Sequence, residues 1–253
     1  MLKIGAPPYI NTLPLVRYLT QTVVFGAPRE LEEKMGAGEL DVALLPIFSF
    51  FKNPSWQAAY EAGVIQSCGP VESVALFYRE NLRHPSGIKS IKYSEESVTS
   101  IALFKVIYSV FWKRDLIHLD PRSTPARWQF GGIHDSLLYI GDKALFFNEP
   151  GYKRLDLGEE WTKQTGLPFV YAAWISRKPL SREMLGVLIA AKNEGLAKRE
   201  EIVRSLHDLP LDRTRCYLTK SIQYDITLKS LEGMEKFQDL SFEIGLLKEK
   251  RKL

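Results

Sequence analysis

At 253 residues, 45% apolar and 25% charged, the chain can build one large domain or two lobes with separate cores, with the composition of an ordinary globular protein. A net charge of +4 attracts anions mildly and excludes a nucleic-acid footprint; the one basic cluster, Lys248-Glu249-Lys250-Arg251-Lys252, reads as a solvated, frayed end. No apolar run reaches the roughly 18 residues that span a bilayer, and residues 1–20 lack the apolar stretch of a signal peptide, so no membrane partner is expected and the expected location is the cytoplasm.

Leu2-Lys3-Ile4-Gly5 reads as a strand that ends in a Pro-rich polar loop, Pro7-Pro8-Tyr9-Ile10-Asn11-Thr12, before a short helix over Leu13 to Leu19. Val23 to Gly26 follows as a second strand. Pro28 to Met35 is a helix with Pro near its first position and acids in its first turn, ended by Gly36 and Gly38. Asp41 to Pro46 is a short buried strand stopped by proline. Val71 to Tyr78 reads as a further strand, with Glu72 and Val74 on one face and Ser73 and Ala75 on the other. Strands alternating with helices argue for a largely parallel α/β sheet.

A second unit starts near Leu82. Ser90 to Tyr93 is its strand, and Ser97-Val98-Thr99-Ser100 leads into a helix over Ile101 to Lys113. Asp135 to Asp142 repeats the outline of Asp41 to Pro46: an acid, a buried strand, a break. That echo argues for two similarly built lobes. The apolar run Leu167 to Trp174 is long enough to bridge two cores. Ser181 opens a capped helix to about Arg199, and Ile226, Leu228, Leu231, Met234 and Phe237 mark helices that finish the first lobe.

The polar segments lie where strands give way to helices, the edge at which open α/β sheets bind ligands. Asn11 and Thr12 sit beside free N–H groups at a helix start; Asn11 either caps that helix or faces a ligand. Ser97, Thr99 and Ser100 place three hydroxyls at a helix N-terminus, an N-cap or an anion site. Gly141-Asp142 turns at another such edge, with Asp142 as a cap or a partner for a ligand hydroxyl. The chain has no P-loop, no Gly-x-Gly-x-x-Gly and no His-Glu-x-x-His. Gly131-Gly132 is too short a signal for a phosphate loop. Cys68 and Cys216 show neither metal-ligand spacing nor a disulfide framework; both are expected reduced, with Cys68 packed. No metal and no cofactor is expected. Asn, Ser and Thr suit binding by hydrogen bonds, and suit catalysis where the substrate is already primed to react.

Tyr9-Ile10-Asn11-Thr12-Leu13-Pro14-Leu15, Gly38 to Pro46, Gly69 to Val74, Ser97 to Ser100, Ile140 to Leu145, and Asp156 to Trp161 followed by Thr165 to Trp174 occur in order over residues 4–174. Together they resemble the chorismate dehydratase family, which opens the futalosine route to menaquinone. The C-terminal third carries little of this signal. The resemblance implies an α/β, two-lobed fold like the type II periplasmic binding proteins, with a ligand cleft between the lobes. The first lobe would comprise residues 1–82 and 173–253 and the second 83–172, with a hinge near 80–84 and 170–174. It implies conversion of chorismate to 3-(1-carboxyvinyloxy)benzoate and water, the substrate's own enolpyruvyl carboxylate acting as base. Asn11 and Ser73 match the family's active-site Asn and Ser; Tyr9, Thr12, Ser97, Thr99, Ser100, Gly141 and Asp142 match segments that line the cleft. The consecutive Pro7-Pro8 departs from the pattern and stiffens the loop before Tyr9. Two rivals share the scaffold: a non-catalytic binding protein for small carboxylates, expected to carry a leader, and the related 1,4-dihydroxy-6-naphthoate synthase, expected to place a catalytic base in the cleft.

Overall fold

The computed structural model describes residues 2–94, 96–115, 118–120 and 136–253. Gly131-Gly132 and the Asp135 end of the expected strand lie outside the described residues. Eleven strands among the described residues form two sheets. In the first, β1 (Ile4–Ala6) pairs in parallel with β2 (Val23–Phe25) and β3 (Val42–Pro46). Antiparallel to β3 runs β11 (Phe169–Ser176), which also pairs with β4 (Gln57–Ala58) and β5 (Val64–Ser67). The second sheet has the order β10 (Tyr152–Asp156), β6 (Val74–Arg79), β9 (Ser136–Ile140), β7 (Ser90–Tyr93), β8 (His118–Asp120). Both sheets are therefore mixed, and the largely parallel sheet expected from the sequence is not what forms. The returning strands β10 and β11 run antiparallel to their neighbours.

Ten α-helices are described: α1 (Leu13–Val16), α2 (Pro28–Ala37), α3 (Ile47–Lys52), α4 (Val98–Val106), α5 (Gly141–Phe146), α6 (Leu157–Thr165), α7 (Arg182–Ala197), α8 (Arg199–Ser205), α9 (Leu211–Cys216) and α10 (Leu228–Glu243). The last turns of α4 and α9 widen into π-helical turns at Ile107–Phe111 and Tyr217–Ser221. Ser181 caps α7 by accepting from the Met184 N–H at 3.2 Å, as its sequence suggests. Helix α7 crosses α1 closely enough that a Cβ on Gly195 would stand 1.9 Å from the Pro14 carbonyl oxygen, so only glycine lets α7 support the loop that carries Asn11.

The chain passes from the first sheet to the second through residues 68–73 and returns through α6. Strand β6, expected in the first lobe, thus belongs to the second sheet. Residues 169–172, expected in the second, belong to the first. Ser73 lies in the outgoing crossing just before β6 and not on a strand. Asp156 fastens both crossings: it accepts from the N–H groups of Val71 (3.1 Å) and Glu72 (2.7 Å) on the way out, and Gly158 (3.0 Å) and Glu159 (3.1 Å) on the way back.

The lobes do not have separate cores. One continuous apolar cluster runs through both, with Trp161, Phe169 and Phe237 stacked at the junction, and a small satellite of Phe77, Leu137 and Tyr139 covers the far face of the second sheet. Two further expectations fail. Cys68 is exposed, like Cys216, because β5 ends at Ser67 and the crossing runs over the surface. The C-terminal end is not frayed at Arg251. Its guanidinium donates to the carbonyls of Phe50, Asn53 and Trp56, each at 2.8 Å, and lies over the Phe50 ring, closing the end of α3.

Candidate active site

The carboxyl ends of β1 and β3 face the start of β6, the end of β9 and the N-terminus of α4 across a cleft. The first lobe contributes Pro7, Tyr9, Asn11, Leu44, Pro46 and Tyr171 to its walls; the second contributes Val71, Ser73, Glu96, Thr99, Ser100 and Gly141. Six residues singled out from the sequence, Tyr9, Asn11, Ser73, Thr99, Ser100 and Gly141, are thus brought together. Three are not. Thr12 is fully buried behind the wall, Ser97 shares a hydrogen bond with Ser94 (3.1 Å), and Asp142 turns away to the opposite lobe.

Neither Asn11 nor Asp142 caps its own helix, and the Ser97 side chain makes no cap hydrogen bond to α4. Instead, Asp142 accepts from the Ile10 N–H at 3.2 Å, and Thr99 Oγ1 accepts from the Phe48 N–H at 3.2 Å. Both are N–H groups at the start of a helical turn in the first lobe, which has no acceptor of its own for them. The Tyr9 hydroxyl adds a third bridge, donating to Glu96 Oε2 at 3.1 Å. Its ring packs on Gly141, whose φ of +60° and lack of a side chain make room for it. The lobes are therefore closed on one another by the residues that the sequence assigned to ligand.

Asn11 looks the other way. Its Nδ2 donates to the Tyr217 hydroxyl at 2.9 Å, while the Tyr224 hydroxyl donates to its backbone carbonyl at 3.0 Å. The Tyr217 side chain is completely buried. Ser73 follows Glu72, which holds a left-handed φ of 61° and accepts from Ser221 of the π-helical turn. Tyr217 and Tyr224 come from the region without motif signal, where a buried aromatic residue reads only as core. Glu96 stood directly before the hydroxyl run at 97–100 and was within reach of the sequence argument.

Burial dominates the electrostatics. It pushes the Tyr9, Tyr171 and Tyr217 phenols well above their ordinary range, with Glu96 adding to the effect at Tyr9, so all three stay protonated. It also holds the Asp142 carboxyl above its usual range, against the pull of the Ile10 N–H. Among the described residues that line the cleft there is no lysine or arginine. The walls combine apolar surface with neutral donors and acceptors and one carboxyl group, Glu96, which accepts from Tyr9, and the start of α4 supplies backbone N–H groups for an anion. Such a cleft suits a small, partly apolar ring carrying hydroxyl and carboxylate groups.

A family model described as menaquinone biosynthesis matches residues 2–243. A chorismate dehydratase of Thermus thermophilus is 26% identical over 235 residues, 80% of each chain. Protein AF1704 from Archaeoglobus fulgidus has a similar structure, with a TM-score of 0.71 at 16% identity over 97% of this chain and 98% of its own. The periplasmic aliphatic sulphonate binding protein SsuA from Escherichia coli superposes with a TM-score of 0.63 at 16% identity, over 99% and 89%. These two structures speak for the fold, which is that of the periplasmic binding proteins.

Proposed function

The chain belongs to the menaquinone biosynthesis family, and we propose that within it the protein is a chorismate dehydratase, a cytoplasmic hydro-lyase of the futalosine route. The observation that carries this reading is the meeting of Asn11 and Ser73, 62 positions apart in sequence, on one cleft lined by apolar and hydrogen-bonding groups. The C3–H of chorismate lies at the end of a diene conjugated to a carboxylate, so its removal leaves a delocalised anion. Loss of the C4 hydroxyl then completes a benzene ring. The C3 proton and the C4 hydroxide leave as one water, and the atoms and electrons balance without a further reactant.

Such a reaction asks the protein to hold the ring, orient the departing hydroxyl and steady developing charge. Asn11 and Ser73 supply those contacts; neither titrates near neutrality, and the enolpyruvyl carboxylate serves as base. The N-terminus of α4 with Ser100 would receive a carboxylate. The test is incubation with chorismate, following the aromatic product by ultraviolet absorbance and mass spectrometry. Formation of 3-(1-carboxyvinyloxy)benzoate is expected. Binding measured by calorimetry with no turnover would overturn the enzyme reading in favour of a binding protein.

A further inference from the structure

We propose that Tyr171 positions the substrate's ring, its side chain being a flat aromatic wall against which that ring lies. The proposal rests on the dehydratase reading and deepens it. An irregularity of β11 places the residue. Val170 pairs with Gln66 of β5 and Ala172 with Ile65, so two steps along β11 meet one along β5, and Tyr171 is the extra residue of a β-bulge. On the other side of β11, the pairing with β3 begins only at Ala172. Tyr171 thus lies outside the paired positions of both neighbouring strands. A bulge re-aims the side chain that it carries. Here Tyr171 and the next residue, Ala172, both line the cleft, whereas a regular strand would send the two to opposite faces.

Three contacts fix the side chain, and none of them is with a residue that lines the cleft. The Tyr171 hydroxyl stands 3.2 Å from that of Ser67. The single Ser67 proton goes to the Gly69 carbonyl at 3.1 Å, so Tyr171 is the donor of the pair. A Cβ on Gly158 would collide with the Tyr171 hydroxyl, so glycine at the start of α6 is what leaves room for it. Phe169 meets the ring edge-on, with centroids 4.8 Å apart. The hydroxyl is therefore committed behind the wall, and the ring is what the cleft receives, beside the apolar side chains of Leu44, Ile65 and Val74. The ring of chorismate enters with two tetrahedral carbons, C3 and C4, and leaves flat. A rigid aromatic wall gains contact as those carbons flatten, so its hold strengthens towards the transition state and favours flat, unsaturated rings.

The experiment compares Tyr171→Phe, which keeps the ring and loses the hydroxyl, with Tyr171→Leu, which keeps apolar bulk and loses the ring. Tyr171→Phe should hold kcat/KM within about twofold of the wild type while its thermal midpoint falls; in Tyr171→Leu, kcat/KM should fall roughly 3- to 10-fold, the range of an aromatic ring contact. A Phe variant as impaired as the Leu variant would make the tie to Ser67 the whole role of the residue. A Leu variant as fast as the wild type would leave the ring no role. Either result overturns the proposal. Where Tyr171→Leu does not fold, calorimetry on the wild type decides. Benzoate, a flat ring, should bind at least about threefold more tightly than cyclohexanecarboxylate, a puckered ring with the same carboxylate, and equal affinities would overturn the proposal. This measurement needs no turnover. A wild type that makes no product overturns the dehydratase reading instead, and the benzoate comparison still decides on Tyr171.

Discussion

Gly141→Ala tests whether closure of the lobes depends on the Tyr9–Gly141 contact. A Cβ at Gly141 would stand 2.9 Å from Tyr9 Cδ1 and 3.0 Å from Cε1, and the residue holds φ +60°. Two costs follow, and they fall on different states. The left-handed backbone costs an alanine about 1–2 kcal/mol whether the lobes are open or closed, which lowers the thermal midpoint by roughly 2–8 °C in a chain of this size. The clash exists only in the closed form. The ring cannot swing aside cheaply, because its hydroxyl is tied to Glu96 at 3.1 Å. Giving up that charge-assisted bond costs about 1.5–3 kcal/mol, which raises KM for chorismate roughly 10- to 150-fold if binding requires closure. Small-angle scattering should show a larger radius of gyration for the variant, and steady-state kinetics the higher KM. A variant with the lowered midpoint but KM within twofold of wild type would show that this contact does not govern closure.

Asp156→Ala removes the acceptor shared by four N–H groups on both crossings, and should destabilise the protein by about 3 kcal/mol or more in urea unfolding. A loss under about 1 kcal/mol would refute its role as the fastener. For Asp142, burial raises the folded pKa above the ordinary value of 3.8, so the native state binds the proton more tightly than the unfolded chain. Its stabilising contribution is fully present below the unfolded value and is lost as pH rises through the folded one. Asp142→Asn should therefore gain stability relative to wild type as pH is raised towards neutrality, and parallel stability–pH curves would refute this. Ser100→Ala should raise KM for chorismate by roughly 10-fold or more, the loss of one hydrogen bond to a charged group, while Ser97→Ala, whose hydroxyl pairs with Ser94, leaves KM unchanged. Equal effects from the two would mean that the α4 N-terminus does not receive the carboxylate.

Local signals carried the elements whose ends are marked by chain chemistry. Strand β3 is a run of apolar residues closed by Pro46, and α7 begins at a serine that does cap it; both form where the sequence places them. Pairing was not legible in the same way. Strand β6 has buried residues on both faces, as it would in either sheet, and its neighbours β9 and β10 come from 58 or more positions further on. No local pattern distinguishes the two placements, and only the pairing of β6 with β9 puts Ser73 on the second lobe's wall. Tyr217 was illegible for a related reason. A buried tyrosine on a helix packs like any aromatic residue, and only the fold shows that its hydroxyl accepts from the Asn11 amide.

The misread caps share one physical cause. Asp, Thr and Ser at a helix start are legible as acceptors for N–H groups, and that chemistry is what the structure uses. The sequence does not carry the address. In a two-lobed protein, the helix starts of one lobe face those of the other across the cleft, so each acceptor has a choice between its own helix and the opposing one. Asp142 and Thr99 serve Ile10 and Phe48 of the other lobe. A cap that crosses the cleft is made only when the lobes are shut. The same bond that satisfies a helix end therefore favours the closed state. Residues matched to the cleft lining thus divide by the partner their side chains take: Asp142 and Thr99 bond across the gap, while Ser100 lines it.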